Sequence, residues 1–485
     1  MGNYTFYNRV RERQSLKESI ASSRSELIIL YGRRGVGKSA LLRQVLDDSG
    51  NAYLFYRAVR RTLPLQLDAL TTAFRTVFPD VYLPQTFAST NVFLDSITYE
   101  AQRREQAGVA EPVCVVIDEL PYLADVDAGF LTALQHWWDD NKRRPNIKLF
   151  LAGSWLSFME RQVLDERAPL YNRRTGAMRL QPLDYAEAGL FFPNYTPEEK
   201  LETYAILGGM PSYLEQFDAD RSLQDNLLLT VFRSNTYLAQ EPDWLLLEDL
   251  RRDVTYGSIL RAIASGERKP SDIARAIGKS SAQEISVHLS TLQDLALVVR
   301  EVPITEKGQV RSRNSLYYIS DHYLNFWYRF VDPARSLISQ GLGSQLWMND
   351  IQPKLAQYVS KPAFEWVARD YLWRALRMGI LPDHLRFVDV GTWWGGGDIE
   401  IDVMAVNADR QPLIVGSCKW TSSTVGLAEL DVLRRDVARA GFDTSGLHYA
   451  LFSRSGFNQP LLDYVAEHPE ERVMLVDVER LYSVS

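Results

Sequence analysis

Short apolar runs alternate with segments of helical spacing along the first third of the chain. An unbroken apolar run is typical of a strand that a parallel sheet buries on both faces. Three runs have this character, at 27–31, 52–56 and 113–117, and a fourth at 147–152 is interrupted only by Lys148. Apolar residues recur at helical spacing in four intervening segments, at 40–46, 65–78, 92–106 and 130–138. This alternation predicts an α/β domain with a parallel sheet.

The pattern changes after residue 181. From 182 to 249 the apolar spacing is mainly helical, with a glycine-proline interruption at 207–211. Three helical segments and two strands are then predicted, at 258–264, 270–277, 280–292, 298–302 and 315–319. Three helices followed by two strands around a polar loop are typical of a winged helix-turn-helix, a fold that often binds DNA.

The last third of the chain predicts a second α/β region. A helix and two strands are predicted, at 361–378, 398–403 and 412–420, before a further helix and strand. The first of these strands alternates cleanly, so Asp398, Glu400 and Asp402 share one face. The aromatic-glycine stretch at 392–397 is predicted to be a turn before that strand. Its tryptophans would either stack on bases or belong to a core or an interface.

Composition narrows the class of protein. With 485 residues, the chain is expected to form about three domains. A net charge of −7 gives no global basic signature, so any nucleic-acid surface must be a local patch. Cys114 and Cys418 are the only cysteines, which excludes a disulfide framework and fits the cytoplasm. No apolar run is long enough to span a membrane, and residues 1–6 lack a secretory apolar core.

The loop after the first predicted strand has the pattern G-x-x-x-x-G-K-S of a phosphate-binding loop. Glycines let backbone amides turn toward phosphate oxygens, and the helix N-terminus adds partial positive charge there. We expect Lys38 to reach the β- and γ-phosphates and the Ser39 hydroxyl to hold Mg²⁺. The residues expected to bind ATP are Gly32, Arg33, Arg34, Gly35, Val36, Gly37, Lys38, Ser39 and Ala40. The alternative is a glycine turn without a ligand.

An acidic pair, Asp118 and Glu119, follows the apolar run at 113–117. Open α/β sheets bind their ligands beyond the carboxyl ends of the strands. Asp118 is therefore expected to bind Mg²⁺ through water, and Glu119 to polarise the attacking water. A helix N-cap at Asp118 is the alternative.

With these motifs, the chain resembles the archaeal-type ATPase family, P-loop proteins related to the STAND ATPases and found also in bacteria. The resemblance covers roughly the first half of the chain and implies an AAA-type core followed by a helical lid. Besides the phosphate-binding loop, the matching residues are Phe6, Arg9, Arg11, Glu12, Ile117, Asp118, Glu119, Gly153, Ser154, Arg173, Arg174, Thr175, Gly208, Gly209, Met210 and Pro211.

The resemblance adds three candidates to the catalytic set. Ser154 stands where related ATPases keep a polar residue that senses the γ-phosphate, although it is equally suited to capping the next helix. One of Arg173 and Arg174 would stabilise transition-state charge, in cis or from a neighbouring subunit of a homo-oligomer. Solvated basic residues are the alternative for both arginines.

The predicted winged helix has a mixed charge pattern. Its reading helix carries no Lys or Arg between 282 and 296, which is a poor electrostatic footprint for DNA. The loop between the two strands is better, with Lys307, Arg311 and Arg313. The sequence leaves open whether this segment contacts DNA or serves as a packing or regulatory adaptor.

The segment 321–331 resembles the junction that precedes a restriction-endonuclease-like domain in a subset of the same family. PD-(D/E)xK nucleases place an Asp on one strand and Glu-x-Lys on the next, and a further Glu often comes from the first helix. Under this resemblance, Asp402 matches the Asp, Lys419 the Lys and Glu365 the helix Glu. These residues would form a second metal site.

The chain departs from that nuclease pattern at Ser417, where the second strand carboxylate would stand. A serine hydroxyl is a poor substitute for a carboxylate at a divalent cation, and Glu400 is one candidate to replace it. Metal-dependent cleavage therefore competes with a non-cleaving fold that contacts DNA or protein. A further alternative is ordinary surface charge, in which Glu365 and Arg369 pair at i, i+4.

Together these patterns predict four parts, a P-loop ATPase core at 1–181, a helical lid at 182–250, a winged helix at 251–335 and a restriction-endonuclease-like α/β domain at 336–485. Two functions of different class follow. The first is a Mg²⁺-dependent ATPase that acts as a nucleotide-controlled switch or motor on DNA or on a protein partner. The second is an ATP-regulated nuclease.

Overall fold

The chain divides into two compact units, Met1–Pro182 and Leu183–Ser485. The finer division of the second unit into lid, winged helix and nuclease-like domain stays a prediction. The structure, a computed structural model, describes residues 7–143, 146–250, 253–308, 314–396 and 399–483. Phe6, Arg311, Arg313 and Asp398, which the sequence analysis named, lie outside these ranges.

The first unit is an alternation of strands and helices, as the apolar pattern predicts. Its strands are β1 (Glu26–Tyr31), β2 (Tyr53–Arg57), β3 (Val113–Asp118), β4 (Ile147–Gly153) and β5 (Gly176–Arg179). Its helices are α1 (Val10–Ala21), α2 (Lys38–Ser49), α3 (Leu63–Val77), α4 (Thr90–Gln106), α5 (Leu120–Val126), α6 (Phe130–Asn141) and α7 (Leu156–Phe158), and a π-helical segment follows at Met159–Leu164.

All five strands of this unit are parallel, in the order β2-β3-β4-β1-β5. Residues of β3 and β4 are buried along their whole length, because helices cover both faces of the sheet. The order places the carboxyl ends of β1 and β3 at one edge, where β4 separates them. The loop after β1 and the acidic pair after β3 therefore open onto the same edge.

The second unit begins with helices. In its first part these are α8 (Tyr185–Gly189), α9 (Pro197–Leu207), α10 (Pro211–Leu214), α11 (Leu223–Thr230), α12 (Tyr237–Asp249), α13 (Val254–Ala264), α14 (Pro270–Ala276) and α15 (Ser286–Asp294). An antiparallel pair of strands follows, β6 (Val298–Glu301) and β7 (Leu316–Ile319). The three helices and two strands predicted between 258 and 319 are thus present, although the third helix starts as a 3₁₀ turn at Ala282–Ile285.

Helices also lead into the last part of the chain. They are α16 (His322–Phe326), α17 (Arg335–Ser339), α18 (Gly343–Leu346), α19 (Gln352–Tyr358) and α20 (Glu365–Arg377). π-helical segments join several of them, at Trp327–Val331, Trp347–Ile351 and Val359–Phe364. The helix predicted at 361–378 is interrupted at its start, because Lys361 has an extended backbone with φ of −145° and ψ of 128°, and α20 follows at Glu365–Arg377.

The second α/β region of the chain contains a mixed five-stranded sheet in the order β12-β11-β10-β9-β8. Its strands are β8 (Asp389–Trp394), β9 (Glu400–Val406), β10 (Pro412–Lys419), β11 (His448–Ser453) and β12 (Val473–Asp477). Its later helices are α21 (Leu427–Arg439), α22 (Gln459–Glu467) and α23 (Val478–Ser483). Strands β10, β11 and β12 are parallel, and β8 and β9 are antiparallel to their neighbours.

The prediction of a turn at 392–397 is wrong for its first half. Thr392, Trp393 and Trp394 belong to β8, where Trp393 pairs with Ile401 of β9. Aromatic and β-branched side chains favour a pleated, half-buried surface, and the glycines that suggested a turn begin only after Trp394. The Trp393 ring packs edge-on against Phe442, with centroids 5.1 Å apart. Trp393 is thus a packing residue.

No helix among the described residues is both long and apolar enough to cross a membrane. Cys114 and Cys418 are both buried free thiols, on β3 and β10.

Candidate functional site

The phosphate-binding loop connects β1 to α2 at the carboxyl edge of the parallel sheet. Gly37 caps the N-terminus of α2 with φ of 97°, a conformation that a residue with a Cβ rarely adopts. The loop backbone is braced by Arg9, a buried residue just before α1, whose guanidinium donates to the Val36 carbonyl at 3.1 Å. The predicted loop is therefore formed, with the helix N-terminus directed at it.

Lys38 is folded back over this loop. Its ammonium donates to the carbonyls of Gly32 at 2.9 Å and Arg33 at 3.0 Å, and the side chain is buried. Burial lowers the pKa of Lys38, an effect that the Glu119 and Asp118 carboxylates oppose. The cation is thus held at the mouth of the loop, between its backbone and the acidic pair.

The two sequence motifs meet at a single hydrogen bond. The Ser39 hydroxyl donates to Oδ2 of Asp118 at 2.7 Å. Asp118 is fully buried, and its Oδ1 accepts from the backbone N–H of Glu119 at 3.1 Å. Since Asp118 ends β3 and its carboxylate faces Ser39, the alternative of a helix N-cap at Asp118 is not what the structure shows.

Glu119 lies beyond Asp118 in the left-handed backbone region, with φ of 56°, which is uncommon for a residue with a side chain. Its Oε2 accepts from the Ser154 hydroxyl at 2.7 Å and from the Ser154 backbone N–H at 3.3 Å. Ser154 follows β4, and α7 begins only at Leu156, with no side-chain cap. Ser154 therefore holds the Glu119 carboxylate and does not cap the helix.

Arg57 is a site residue that the sequence analysis missed. It ends β2, in register beside Asp118 of β3. Its Nε donates to Oδ2 of Asp118 at 3.0 Å, and its NH2 donates to the Ser39 hydroxyl at 3.0 Å. Its position at the end of a predicted strand could have identified it, because the carboxyl ends of neighbouring parallel strands lie at the edge of the sheet where ligands bind. No motif marks the residue.

Arg173 and Arg174 lie before β5. The Thr175 N–H donates to the Leu27 carbonyl at 2.9 Å, near the amino end of β1. The phosphate-binding loop follows the opposite, carboxyl end of β1. The arginine of this segment that lies level with that end is Arg179, which pairs with Tyr31.

Both predicted arginines have partners elsewhere. Arg173 donates to Asp139 at 2.9 Å and to the Pro169 carbonyl at 3.1 Å. Arg174 donates to the Tyr171 carbonyl at 2.8 Å and lies over the ring of the same tyrosine. The structure thus does not bring either guanidinium to the loop, and a role at the phosphate stays a prediction.

A second group of charged residues lies around β9 and β10 of the C-terminal sheet. Oδ2 of Asp402 accepts from the Cys418 backbone N–H at 2.8 Å and lies 3.4 Å from the Ser417 hydroxyl oxygen. The same hydroxyl donates to Glu429 of α21 at 2.7 Å, and Lys419 pairs with Glu429 at 3.0 Å. The sequence analysis missed Glu429, a carboxylate that lies beside the serine of the nuclease-like pattern.

Glu365 is buried at the start of α20, close enough to Asp402 for the two carboxylates to interact. Burial and the Asp402 carboxylate raise the pKa of Glu365 to about 8, against the opposing effects of Lys361 and Arg369. Lys361 lies 3.5 Å from Glu365 and forms an ion pair with Glu400. Glu400 therefore already has a lysine partner. Glu365 also lies 3.7 Å from Arg369, four residues further along the helix, which is the ion pair that the surface-charge alternative predicts.

Within the described ranges, no group of three or more His, Cys, Asp or Glu side chains has the arrangement of a metal site. The second metal site at Glu365, Asp402 and Lys419 stays a prediction. Lys307, the one predicted wing cation in a described range, forms an ion pair with Asp389 at 2.7 Å. Because Lys307 already has a carboxylate partner, its charge is less available to bind a phosphate of DNA.

Family comparison finds two matches along the chain. Residues 6–217 match a family described as an ATPase domain predominantly from Archaea. Residues 327–430 match a family described as archaeal and bacterial proteins of unknown function. The first match includes the phosphate-binding loop, the acidic pair and Ser154.

A full-length relative is the uncharacterized protein MJECL04 of Methanocaldococcus jannaschii, 29% identical over 93% of this chain and 95% of that protein. Among solved structures, the chain is similar to the Aeropyrum pernix ORC2 protein in ADPNP-ADP complexes, with 14% identity, a TM-score of 0.43 and coverage of 71% and 97% of the two chains. It is also similar to the Thermotoga maritima RuvB Holliday junction branch migration motor, with 13% identity, a TM-score of 0.31 and coverage of 69% and 96%.

Proposed function

We propose that this protein is a Mg²⁺-dependent ATPase acting as a nucleotide-controlled switch, since residues 6–217 match a family described as an ATPase domain predominantly from Archaea. The observation that carries the proposal is the hydrogen bond of 2.7 Å between the Ser39 hydroxyl and the Asp118 carboxylate. Two distant motifs meet there, at the mouth of a formed phosphate-binding loop. In this proposal the second unit, Leu183–Ser485, contacts the DNA or protein partner that responds to the nucleotide state.

The residues present suit a magnesium nucleotide. Mg²⁺ prefers hard oxygen ligands and keeps several waters, so it needs few protein groups. The Ser39 hydroxyl and the Asp118 carboxylate supply such oxygens side by side, next to the Lys38 ammonium. These groups would hold the metal and the phosphates. When bound, Mg²⁺ would neutralise charge on the phosphate oxygens.

The hydrolytic role falls to Glu119. Its carboxylate lies beside Asp118 at the carboxyl edge of the sheet, and Ser154 fixes its orientation through two hydrogen bonds. An oriented carboxylate can accept the proton of an attacking water. Ser154 is thus a positioning residue, which would link the state of the γ-phosphate to the base.

The test is nucleotide affinity of the Lys38→Ala variant, measured by calorimetry with Mg²⁺ and with EDTA. Loss of a charged contact to phosphate is expected to weaken ATP binding by about tenfold to a hundredfold. The matched control is Lys17→Ala, which removes a surface lysine of α1 paired with Asp48. Unchanged ATP affinity in Lys38→Ala would show that the central assignment is wrong.

A second candidate function is metal-dependent nucleic-acid cleavage by the C-terminal region. The observation in its favour is Glu429, whose carboxylate contacts both Ser417 and Lys419. It would supply the acidic group that the strand pattern lacks. The ion pairs of Lys361 and the absence of a three-ligand group in the described residues favour the switch instead.

Cleavage of plasmid and single-stranded DNA with Mg²⁺ or Mn²⁺, with and without ATP, separates the two candidates. Wild type is compared with Lys419→Ala, Glu429→Gln and Lys38→Ala. Cleavage lost in the first two variants would establish a nuclease, and its dependence on Lys38 would show control by ATP. No cleavage with ATP turnover intact would leave the switch.

A DNA partner is proposed only through the wing and the C-terminal region. The reading helix α15 carries no Lys or Arg, and Lys307 is paired with Asp389. Reversing the charges of Lys307, Arg311 and Arg313 should weaken DNA binding and flatten its salt dependence. An unchanged salt slope would assign the output of the switch to a protein partner.

A further inference from the structure

The position of Arg57 conflicts with the metal that the proposed function requires. Its guanidinium donates to both groups that would hold Mg²⁺, at 3.0 Å to the Asp118 carboxylate and 3.0 Å to the Ser39 hydroxyl. A lone pair used to accept from a guanidinium is not available to a metal ion or to a metal-bound water. A dication placed at these oxygens would also meet a fixed positive charge. Arg57 and the metal therefore compete for the same site.

Arg57 can leave these contacts at small structural cost. Its side chain is 58% exposed, although the Asp118 carboxylate that it contacts is fully buried. The backbone of Arg57 is anchored at the end of β2, beside Asp118. A long side chain fixed at this edge can turn outward and still remain within reach of phosphates bound at the loop. The guanidinium therefore has room to turn toward solvent while its backbone stays in the sheet.

The other arginines near the sheet are less suited to that role. Arg173 is hydrogen-bonded to Asp139, Arg174 to the Tyr171 carbonyl, and Arg179 is paired with Glu160 at 3.2 Å. Arg57 directly contacts the groups expected to bind the metal. Arginine is also the side chain best matched to phosphate oxygens, through its planar fork of N–H donors.

We infer that Arg57 is a two-position residue, which occupies the metal position in the nucleotide-free site and moves to the γ-phosphate when the metal nucleotide binds. In the first position it offsets the charge of Asp118 and competes with Mg²⁺ for the Asp118 and Ser39 oxygens. In the second it supplies positive charge to the γ-phosphate from within the same chain. This inference rests on the proposed function, because it concerns the same site.

The first test uses the full chain without nucleotide. Mn²⁺, a spectroscopic substitute for Mg²⁺, is titrated into wild type and Arg57→Ala and followed by electron paramagnetic resonance. Removal of the competing guanidinium should increase the affinity for Mn²⁺ by about tenfold or more. Arg57→Gln, which keeps most of the side-chain length without the charge, should behave like Arg57→Ala. Equal Mn²⁺ affinities in wild type and both variants would show that Arg57 does not compete with the metal at Asp118 and Ser39.

The second test measures the preference for ATP over ADP, each with Mg²⁺, by calorimetry. Only ATP has a γ-phosphate, so Arg57→Ala should reduce the preference by about tenfold while ADP affinity changes little. Arg57→Lys should retain part of it. An unchanged preference for ATP over ADP in Arg57→Ala would show that Arg57 does not contact the γ-phosphate.

A matched control is Arg60→Ala, which removes a guanidinium three residues further along, where it lies over the Tyr122 ring. It should match wild type in both tests. Thermal melting of each variant verifies that the fold is retained. Lys38→Ala distinguishes a failure of the proposed ATPase function from a failure of the role inferred for Arg57. If it keeps full ATP affinity, the proposed function fails, whereas a failure confined to Arg57 overturns only this inference.

Discussion

The Ser154 hydroxyl holds the Glu119 carboxylate at 2.7 Å, and this contact can be removed without touching the phosphate-binding loop. We predict that Ser154→Ala lowers kcat for ATP hydrolysis by about tenfold and leaves KM nearly unchanged, because the base loses its orientation while the nucleotide contacts remain. Steady-state phosphate release measures both constants. Ser154→Thr retains a hydroxyl and should keep most of the activity.

Glu119→Gln serves as the reference for this prediction, since it removes the base itself. It should reduce kcat by about 10²-fold or more with ATP binding retained. If Ser154→Ala raised KM and left kcat intact, Ser154 would contact the nucleotide and would not position Glu119.

At the scale of elements, the close approach between the 208–211 turn and the start of α8 makes one glycine indispensable. The Leu183 N–H donates to the Gly209 carbonyl at 2.8 Å. A Cβ on Gly209 would lie 1.7 Å from the Leu183 carbonyl oxygen. We predict that Gly209→Ala destabilises the second unit by about 3 kcal/mol or more, measured by urea unfolding.

Gly396 is the matched control, because a Cβ there would have no neighbour within 4 Å among the described residues. Gly396→Ala should change the unfolding free energy by no more than about 0.5 kcal/mol. A Gly209→Ala protein as stable as wild type would mean that the segment before α8 can shift away from the turn.

A second prediction at this scale concerns acid stability. His322 opens α16, and its ring packs against Tyr204 and Trp366, with centroids 4.8 Å and 5.4 Å away. Burial lowers the pKa of His322 to about 4, although Asp321 opposes the effect. The unfolded state binds the proton more readily than the folded state does. The stabilisation from a neutral His322 is therefore complete above about pH 6.5 and is lost as the pH falls toward 4.

Replacing His322 with Phe keeps a ring in place and removes the titration. Between pH 7 and pH 4.5, Tm of the wild type should fall further than that of His322→Phe, by on the order of 5 °C. Circular dichroism melts at the two values measure this difference. His136→Gln, at an exposed position of α6, should follow the wild type, and parallel curves for all three proteins would contradict the prediction.

At the scale of the whole molecule, the contacts described above for the nucleotide site lie within the first unit, Met1–Pro182. We predict that residues 1–182, produced alone, bind Mg²⁺-ATP with an affinity within about threefold of the full chain. Calorimetry measures both proteins. Lys38→Ala in the shortened chain verifies that the same site is observed, and a complete loss of binding would assign nucleotide contacts to residues after 182.

Contiguous motifs predicted much of the first unit. The loop from Gly32 to Ser39 and the pair Asp118 and Glu119 lie at the ends of the strands that their apolar runs predicted. These features depend on local spacing and on the burial of parallel strands, which a sequence records directly. The turn predicted at 392–397 was wrong in its first half because pairing with β9 extends β8 to Trp394.

The sequence by itself determined that a phosphate-binding loop and an acidic pair are present, because each is a short pattern with its own local geometry. The tertiary structure alone decided which side chains share their site. Arg57 reaches Asp118 only because β2 pairs with β3 in one register, and Glu429 reaches Ser417 only because α21 packs against the strand that carries it. Such neighbours depend on strand register and helix packing between residues distant in the chain, and no local pattern marks them.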